Sequence, residues 1–370
     1  MRLQTGLALA LAAAVAAPAY SQESTAAKPP RAIISIGDYP NVNGLRLNFR
    51  DRNLGEVNGI NATIWSPYDE GTGRVRGFAL GLPSTGAGEV HGIGIGALGV
   101  GAARSFTGIG IGGLGIGAGG RVKGIMAGGL GVGSGGDIEG IAIGGLGAGA
   151  GGNIRGIVVG GLGAGTGGRI DGAAVGLLGV GSGGGARGVL VGGLGAGTGG
   201  DIEGFAVGGM GVGGGGNGKG VLIGGIGAGL GGNFRGIGIG GIGVGAGGRL
   251  SGLMIGGVAV GAGSELDGIN IAGVAVGAPT IRKFASAAGV VGAVHMDGLM
   301  VAGALSRLEK GGTMRGVSVA TVNAMRGEQH GLTIGIVNYA RELDGMQIGV
   351  INIARNASVK FLPIVNYHRK

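Results

Sequence analysis

From Gly92 to position 284 the sequence repeats every 16 residues, twelve times in succession. The unit reads G-h-x-h-G-G-h-G-a-G-a-G-G-x-h-x, where h is large and apolar and a is small or Val; residues 140–155, GIAIGGLGAGAGGNIR, are a typical copy. A fixed period of this length marks a solenoid or array, in which each unit is too small to bury its apolar residues alone. Unit starts continue outward through Gly77, Gly59 and Gly44 on one side and Gly298, Gly316, Gly331 and Gly345 on the other, in steps of 14–18 residues. Phe284 and Phe361 take the place of the starting glycine in two units.

The period overrules what composition suggests. With 103 glycines and 8 prolines in 370 residues, an aperiodic chain would read as low-complexity. Glycine does not recur every third residue, which excludes collagen. Charge obeys the period too. Every charged residue between Gly108 and Asp267 falls in one of the two x positions flanking the last apolar residue, as in Asp137-Ile138-Glu139, Arg169-Ile170-Asp171 and Asp201-Ile202-Glu203. A disordered linker has no reason to confine charge in this way.

Within each unit the segments alternate with the strand period of two. Parity slips between Ile138 and Ile141, and again between Ile143 and Leu146. A one-residue slip reverses the face, so bends are expected at Gly140, at Gly144-Gly145 and at Gly151-Gly152, where glycine accepts a positive φ. Three short strands joined by such bends close into a coil. The expected fold is therefore all-β, a glycine-rich β-solenoid of about 20 short coils, roughly 95 Å long at the inter-strand spacing. The interior is expected to hold the rows of Ile138, Ile141, Ile143 and Leu146. The x of G-h-x-h (Met126, Ala142, Val158, Ala174, Leu190, Ala206, Leu222, Gly238 and Met254 in successive units) is expected to face outward, beside a third side of bare glycine.

The alternative is an outer-membrane β-barrel with one strand per unit. The aromatic girdles are missing, the lumen face would lack polar residues, and every unit carries the same turn where up-and-down strands need two kinds. The net charge of +9 resembles a nucleic-acid signal, but the repeat body is nearly neutral. The excess sits at the ends, in Arg46, Arg50, Arg52, Arg74, Arg76 and Arg369-Lys370, and aromatic stacking platforms are scarce, so no nucleic-acid partner is expected.

Glycine this abundant creates false motifs. Gly213 to Gly218-Lys219 nearly forms a P-loop, but Gly220 stands where Ser or Thr would hold Mg²⁺. Residues 128–136, GGLGVGSGG, resemble a calcium-binding nonapeptide with Gly133 in place of the Asp ligand. The carboxylate pairs Asp137/Glu139, Asp201/Glu203 and Glu265/Asp267 read as a solvated strip matched to basic neighbours such as Arg121, Lys123 and Arg155; Lys219 and Arg235 break that order. Of the four histidines, His91, His295 and His330 fall in the charged slots, and no two of the four, His368 included, have metal-ligand spacing. Thr166 and Thr198 are too isolated for an ice-binding array. There is no cysteine, which excludes disulfides, thiol catalysis and a lipoprotein anchor. No catalytic, cofactor-binding or metal residue is nominated, and the chain is expected not to be an enzyme.

The C-terminal units differ in style. Residues 331–344, GLTIGIVNYARELD, and 345–358, GMQIGVINIARNAS, are near copies, followed by FLPIVNY; residues 43–65 share the pattern. Over residues 43–66 and 316–367 the chain resembles uncharacterised bacterial surface-repeat proteins built on G-[LM]-x-I-G-[IVL]-[IV]-N units and ending in a Leu-Pro-hydrophobic-Val-Asn motif. The resemblance implies an exported surface protein and no particular activity. Asn323, Asn338, Asn352 and Asn366 recur at equivalent points, either as a stacked amide ladder or as residues tolerant of the following bend.

The first residues, MRLQTGLALALAAAVAAPAYSQES, have the charged start, apolar run and small-residue cleavage site of a secretory signal, cut after Ala19 or Ser21. The organisation expected is a signal peptide over 1–21, a lead-in over 22–43, a repeat domain over 44–360 and a C-terminal cap over 361–370. The protein is expected at the cell surface or outer membrane of a Gram-negative bacterium, with the periplasm as alternative. There it would meet the membrane surface or further copies of itself through apolar and glycine faces.

Overall fold

The structure is a computed structural model that describes residues 31–369 apart from 66, 69 and 70; the expected signal peptide lies outside the described residues. The described chain is all-β, a right-through stack of short coils forming a β-solenoid. Each central coil contributes a seven-residue strand such as Ile138–Gly144 and a four-residue strand such as Gly147–Ala150. Both pair in parallel with their equivalents 16 residues before and after, Gly140 lying between Gly124 and Gly156, and Ala148 between Val132 and Ala164. A barrel with one strand per unit would alternate strand direction, so the parallel register overturns the barrel alternative.

The bends fall where the glycines predict them. Gly140 has φ of +124°, its equivalents from Gly44 to Gly345 share the positive sign, and a Cβ on Gly140 would lie 2.1 Å from the Gly124 carbonyl oxygen. Among the described residues the one non-glycine at this corner is Lys283, φ 73°, which pairs with Gly268 and Gly298. Phe284 is therefore not the substitute for the glycine; it stands one place on, in the row of Ile269. Phe361 does not open a coil either, because Phe361–His368 runs antiparallel to the last coil.

The interior differs from the expected one on two of three sides. Ile138 is buried, but Ile143 and Leu146 are 45% and 50% exposed. The x row thought to face outward is the core: Met126, Ala142, Val158, Ala174, Leu190, Ala206, Leu222 and Met254 are all at most 2% exposed. The physical reason is parity. Gly140 turns the strand without adding a residue, so positions 138, 142, 144, 148 and 150 all point inward and Ile141 and Ile143 point out. Sixteen is even, so every coil returns to the same parity. The lumen is also too thin for facing isoleucines, since a Cβ on Gly144 would sit 1.9 Å from the Gly147 carbonyl oxygen. Large and small residues alternate from coil to coil in the inner row instead. A Cβ on Gly110 would lie 2.7 Å from Met126 Sδ, and one on Gly238 3.0 Å from Met254 Sδ.

Candidate interaction surface

The first outer side is the charged strip. At its inner margin Asp and Asn side chains tie one coil to the next. Asp137 Oδ1 accepts the Asn153 backbone N–H at 2.7 Å, and Asn153 Oδ1 accepts that of Arg169 at 2.9 Å. The same links run from Asp201 through Asn217 and Asn233 to Arg249. Ion pairs follow the expected neighbours: Arg155 with Asp137 (3.4 Å) and Glu139 (3.1 Å), Arg187 with Glu203 (2.8 Å), Lys283 with Asp267 (2.9 Å), and Glu265 between Arg249 (2.5 Å) and Arg282 (3.1 Å). Lys219 and Arg235 stand side by side in register, as the sequence order indicated. The Asn153 backbone N–H holds Asp137 below its ordinary carboxylate pKa, and Arg187 does the same for Glu203. Near the N-terminus Arg74, with Arg104, holds Glu89 low.

The second side and its corner form an apolar wall. The corner row Leu98, Leu114, Leu130, Leu146, Leu162, Leu178, Leu194, Met210, Ile226, Ile242, Val258 and Val274 is 43–55% exposed throughout. Beside it run the half-exposed members of the Ile141 and Ile143 rows, including Ile109, Ile111, Ile125, Ile157, Phe205, Ile237 and Ile269. Toward the N-terminus the wall dips at Ala62 into a groove of about 750 Å³ between Leu47 and Leu80, flanked by Ile36, Phe49, Ile64 and Leu82. Phe49 and Trp65 stack beside it at 6.5 Å.

The third side is bare. Gly147 and Gly149 and their equivalents point outward between the inward Ala148 and Ala150. Here sterics do not demand glycine: a Cβ on Gly133 or Gly181 would meet nothing within 4 Å, and one on Gly147 only a carbonyl oxygen at 3.6 Å.

Both ends of the core are polar. Arg46, one of the basic residues that carry the charge excess at the ends, is fully buried. It donates to Tyr39 O (2.8 Å), Asn61 Oδ1 (2.9 Å) and Asp38 Oδ1 (3.0 Å) and pairs with Asp51, which also accepts from Asn48, Asn61 and Thr63. At the other end the amide ladder exists. Asn323 Nδ2 donates to Asn338 Oδ1 and Asn338 Nδ2 to Asn352 Oδ1, each at 2.7 Å, and all three are fully buried. Asn366, on the returning strand, is buried but outside the ladder.

The apparent motifs dissolve into this scaffold. Gly213 to Lys219 runs strand, corner, strand, where a phosphate loop needs a helix N-terminus. Thr166 and Thr198 turn their hydroxyls onto the carbonyls of Gly152 and Gly200 at the glycine corner. His91, His295 and His330 lie on the charged side, next to Glu89 (3.6 Å), Thr313 (3.0 Å), and Asp344 (3.0 Å) with Glu328 (3.2 Å), respectively. Among the described residues no three His, Asp or Glu side chains converge as metal ligands. Comparison with family models, with curated proteins and with solved structures finds no match.

Proposed function

We propose that the protein is an exported, non-catalytic rod of the cell surface or envelope that works by lateral association with further copies of itself through the apolar wall. The observation that carries this reading is the unbroken corner row from Leu98 to Val274, half exposed in every coil. At about 4.8 Å per coil and about 3.3 Å per residue, that stretch of wall is roughly 53 Å by 16 Å, on the order of 850 Å². A soluble monomer's largest apolar patch is typically about 300–600 Å². Two copies meeting wall to wall would cover about twice that strip, close to the roughly 1,600 Å² of a stable interface. The non-catalytic reading is supported by the charged strip, whose carboxylates are engaged in pairs and backbone links on an outer side of the rod.

Sedimentation and electron microscopy of the mature chain are expected to show side-by-side assemblies. The triple variant Leu130→Lys, Leu146→Lys, Leu162→Lys should be monomeric with an unchanged melting temperature, because these side chains are already half in water. Arg155→Glu with Arg187→Glu should leave assembly intact. Wall-dependent flotation with lipid vesicles, without self-association, would assign the wall to a membrane surface instead. A monodisperse monomer with no affinity for itself, lipid or detergent would remove the reading altogether.

A further inference from the structure

The bare third side changes character at the C-terminal end. Where the central coils show glycine, the last coils place Arg326, Arg341 and Arg355 outward, each ten residues beyond its corner glycine Gly316, Gly331 or Gly345. The Arg355 backbone N–H donates to Ala340 O at 3.1 Å, the parallel link that sets Arg355 beside Arg341. Lys310 extends the line in the coil below, and the four cations border one groove of about 820 Å³ that also contains Tyr339.

This column is built unlike the charged strip. There, most cations stand beside carboxylates; here no ion pair joins Lys310, Arg326, Arg341 or Arg355 to a carboxylate among the described residues. Arg307, in the same coil as Lys310, is already paired with Glu309 at 2.9 Å. Like charges stacked at the coil spacing repel, so the column is an unbalanced field along the rod axis. The groove's other polar groups are committed. Asn356 holds both backbone groups of Leu343, at 2.9 and 3.0 Å, and Glu342, the one carboxylate lining the groove against four cations, has an interaction of its own.

We propose that this groove binds a linear acidic polysaccharide lying along the rod, its carboxylates following the column Lys310, Arg326, Arg341, Arg355. Three of the four cations are arginines, whose planar fork matches a carboxylate with two parallel hydrogen bonds. Tyr339, half-buried in the groove, supplies a flat apolar ring for the C–H face of a sugar. A single-stranded nucleic acid is the poorer fit, because successive bases need successive aromatic platforms and the groove has one. The site lies on a different side from the apolar wall and stands or falls independently of lateral association.

Binding of polygalacturonate to the full mature chain, followed by calorimetry across a salt series, tests this. Affinity should fall steeply as salt rises and drop at least tenfold in Arg326→Glu with Arg341→Glu. Arg341→Lys should weaken binding through loss of the fork, and Tyr339→Ala should weaken it severalfold. Lys219→Glu with Arg235→Glu, an equal charge change outside the groove, should not alter it. Circular dichroism confirms that each variant keeps the fold. The proposal is overturned if the wild type does not bind polygalacturonate, if the double reversal leaves binding unchanged, or if polyphosphate or oligothymidylate binds as tightly.

Discussion

Glycine does two different jobs in this chain, and single substitutions separate them. At Gly140 the backbone is in the left-handed region and a Cβ would strike the Gly124 carbonyl oxygen. At Gly133 the backbone is ordinary extended strand and a Cβ would meet nothing. Gly140→Ala is therefore expected to destabilise by about 1–3 kcal/mol from backbone strain alone, with the clash added. Gly133→Ala should leave stability equal or raise it by up to about 1 kcal/mol, through the unfolded chain. Denaturant unfolding of the two variants checks this, and equal losses would mean that the outer glycines are structural after all. The corners were legible in the sequence because few other residues accept their geometry. The facing of Ile141 and Ile143 was not, because placing large apolar residues inside presumes a core thick enough to hold them. The usable signal was in the x row, where Gly110, Met126, Ala142, Val158, Ala174 and Leu190 alternate small and large. Alternation across neighbouring coils is what a narrow packed lumen requires, and an exposed row has no need of it.

At the level of the stacked strands, two side-chain ladders join the coils, one wet and one dry. The wet one makes stability depend on acid. Asp137, held low by the Asn153 N–H, and Glu89 and Glu203, held low by Arg74 and Arg187, each bind a proton less readily folded than unfolded. Their contribution is present above the ordinary carboxylate pKa of about 4 and is lost as pH falls through the lower folded values. The melting temperature should hold steady from neutral pH down to about pH 5 and decline on further acidification. Asp137→Asn should decline less steeply, and a melting curve indifferent to acid would contradict the assignment. The dry ladder is the Asn323–Asn338–Asn352 series. Asn338→Leu would remove one of the acceptors of the Asn323 amide, which keeps the Ile334 carbonyl, and the donor to the Asn352 side-chain carbonyl in a buried site, at about 1–3 kcal/mol for each group left unpaired. Its counterpart Leu332→Ala, on an outer row, should cost far less. The recurring asparagines were visible as a pattern, but the inward direction that makes them a ladder depends on the parity of the C-terminal coils. Arg46 shows the opposite limit. Its charge gave no hint of burial, since only the folded coil brings Asp38, Asp51 and Asn61 around it.

For the whole molecule the open question of any solenoid is what stops it growing. The last coil offers a full parallel edge of N–H and C=O groups, which is a template for another chain. Phe361–His368 covers that edge by running back antiparallel along residues 345–353, a direction that the parallel stack cannot continue. Pro363 within it has no N–H to offer, and Ile364 is turned out of strand geometry at φ 69°. At the other end Ala32–Ile36 pairs in parallel with Val42–Asn48 and carries exposed Ile33, Ile34 and Ile36. Without the returning strand, the last coil of one copy would face a parallel strand of the next, a head-to-tail contact that does not close. Deleting residues 361–370 should therefore convert the protein to thin end-to-end filaments whose amount rises with concentration, seen by light scattering and electron microscopy. Combining the deletion with Leu130→Lys, Leu146→Lys and Leu162→Lys separates the two modes of growth, since it should leave single filaments and abolish side-by-side bundles. A truncated chain that keeps its β circular dichroism yet stays monomeric at high concentration would show that the returning strand is not what limits the rod.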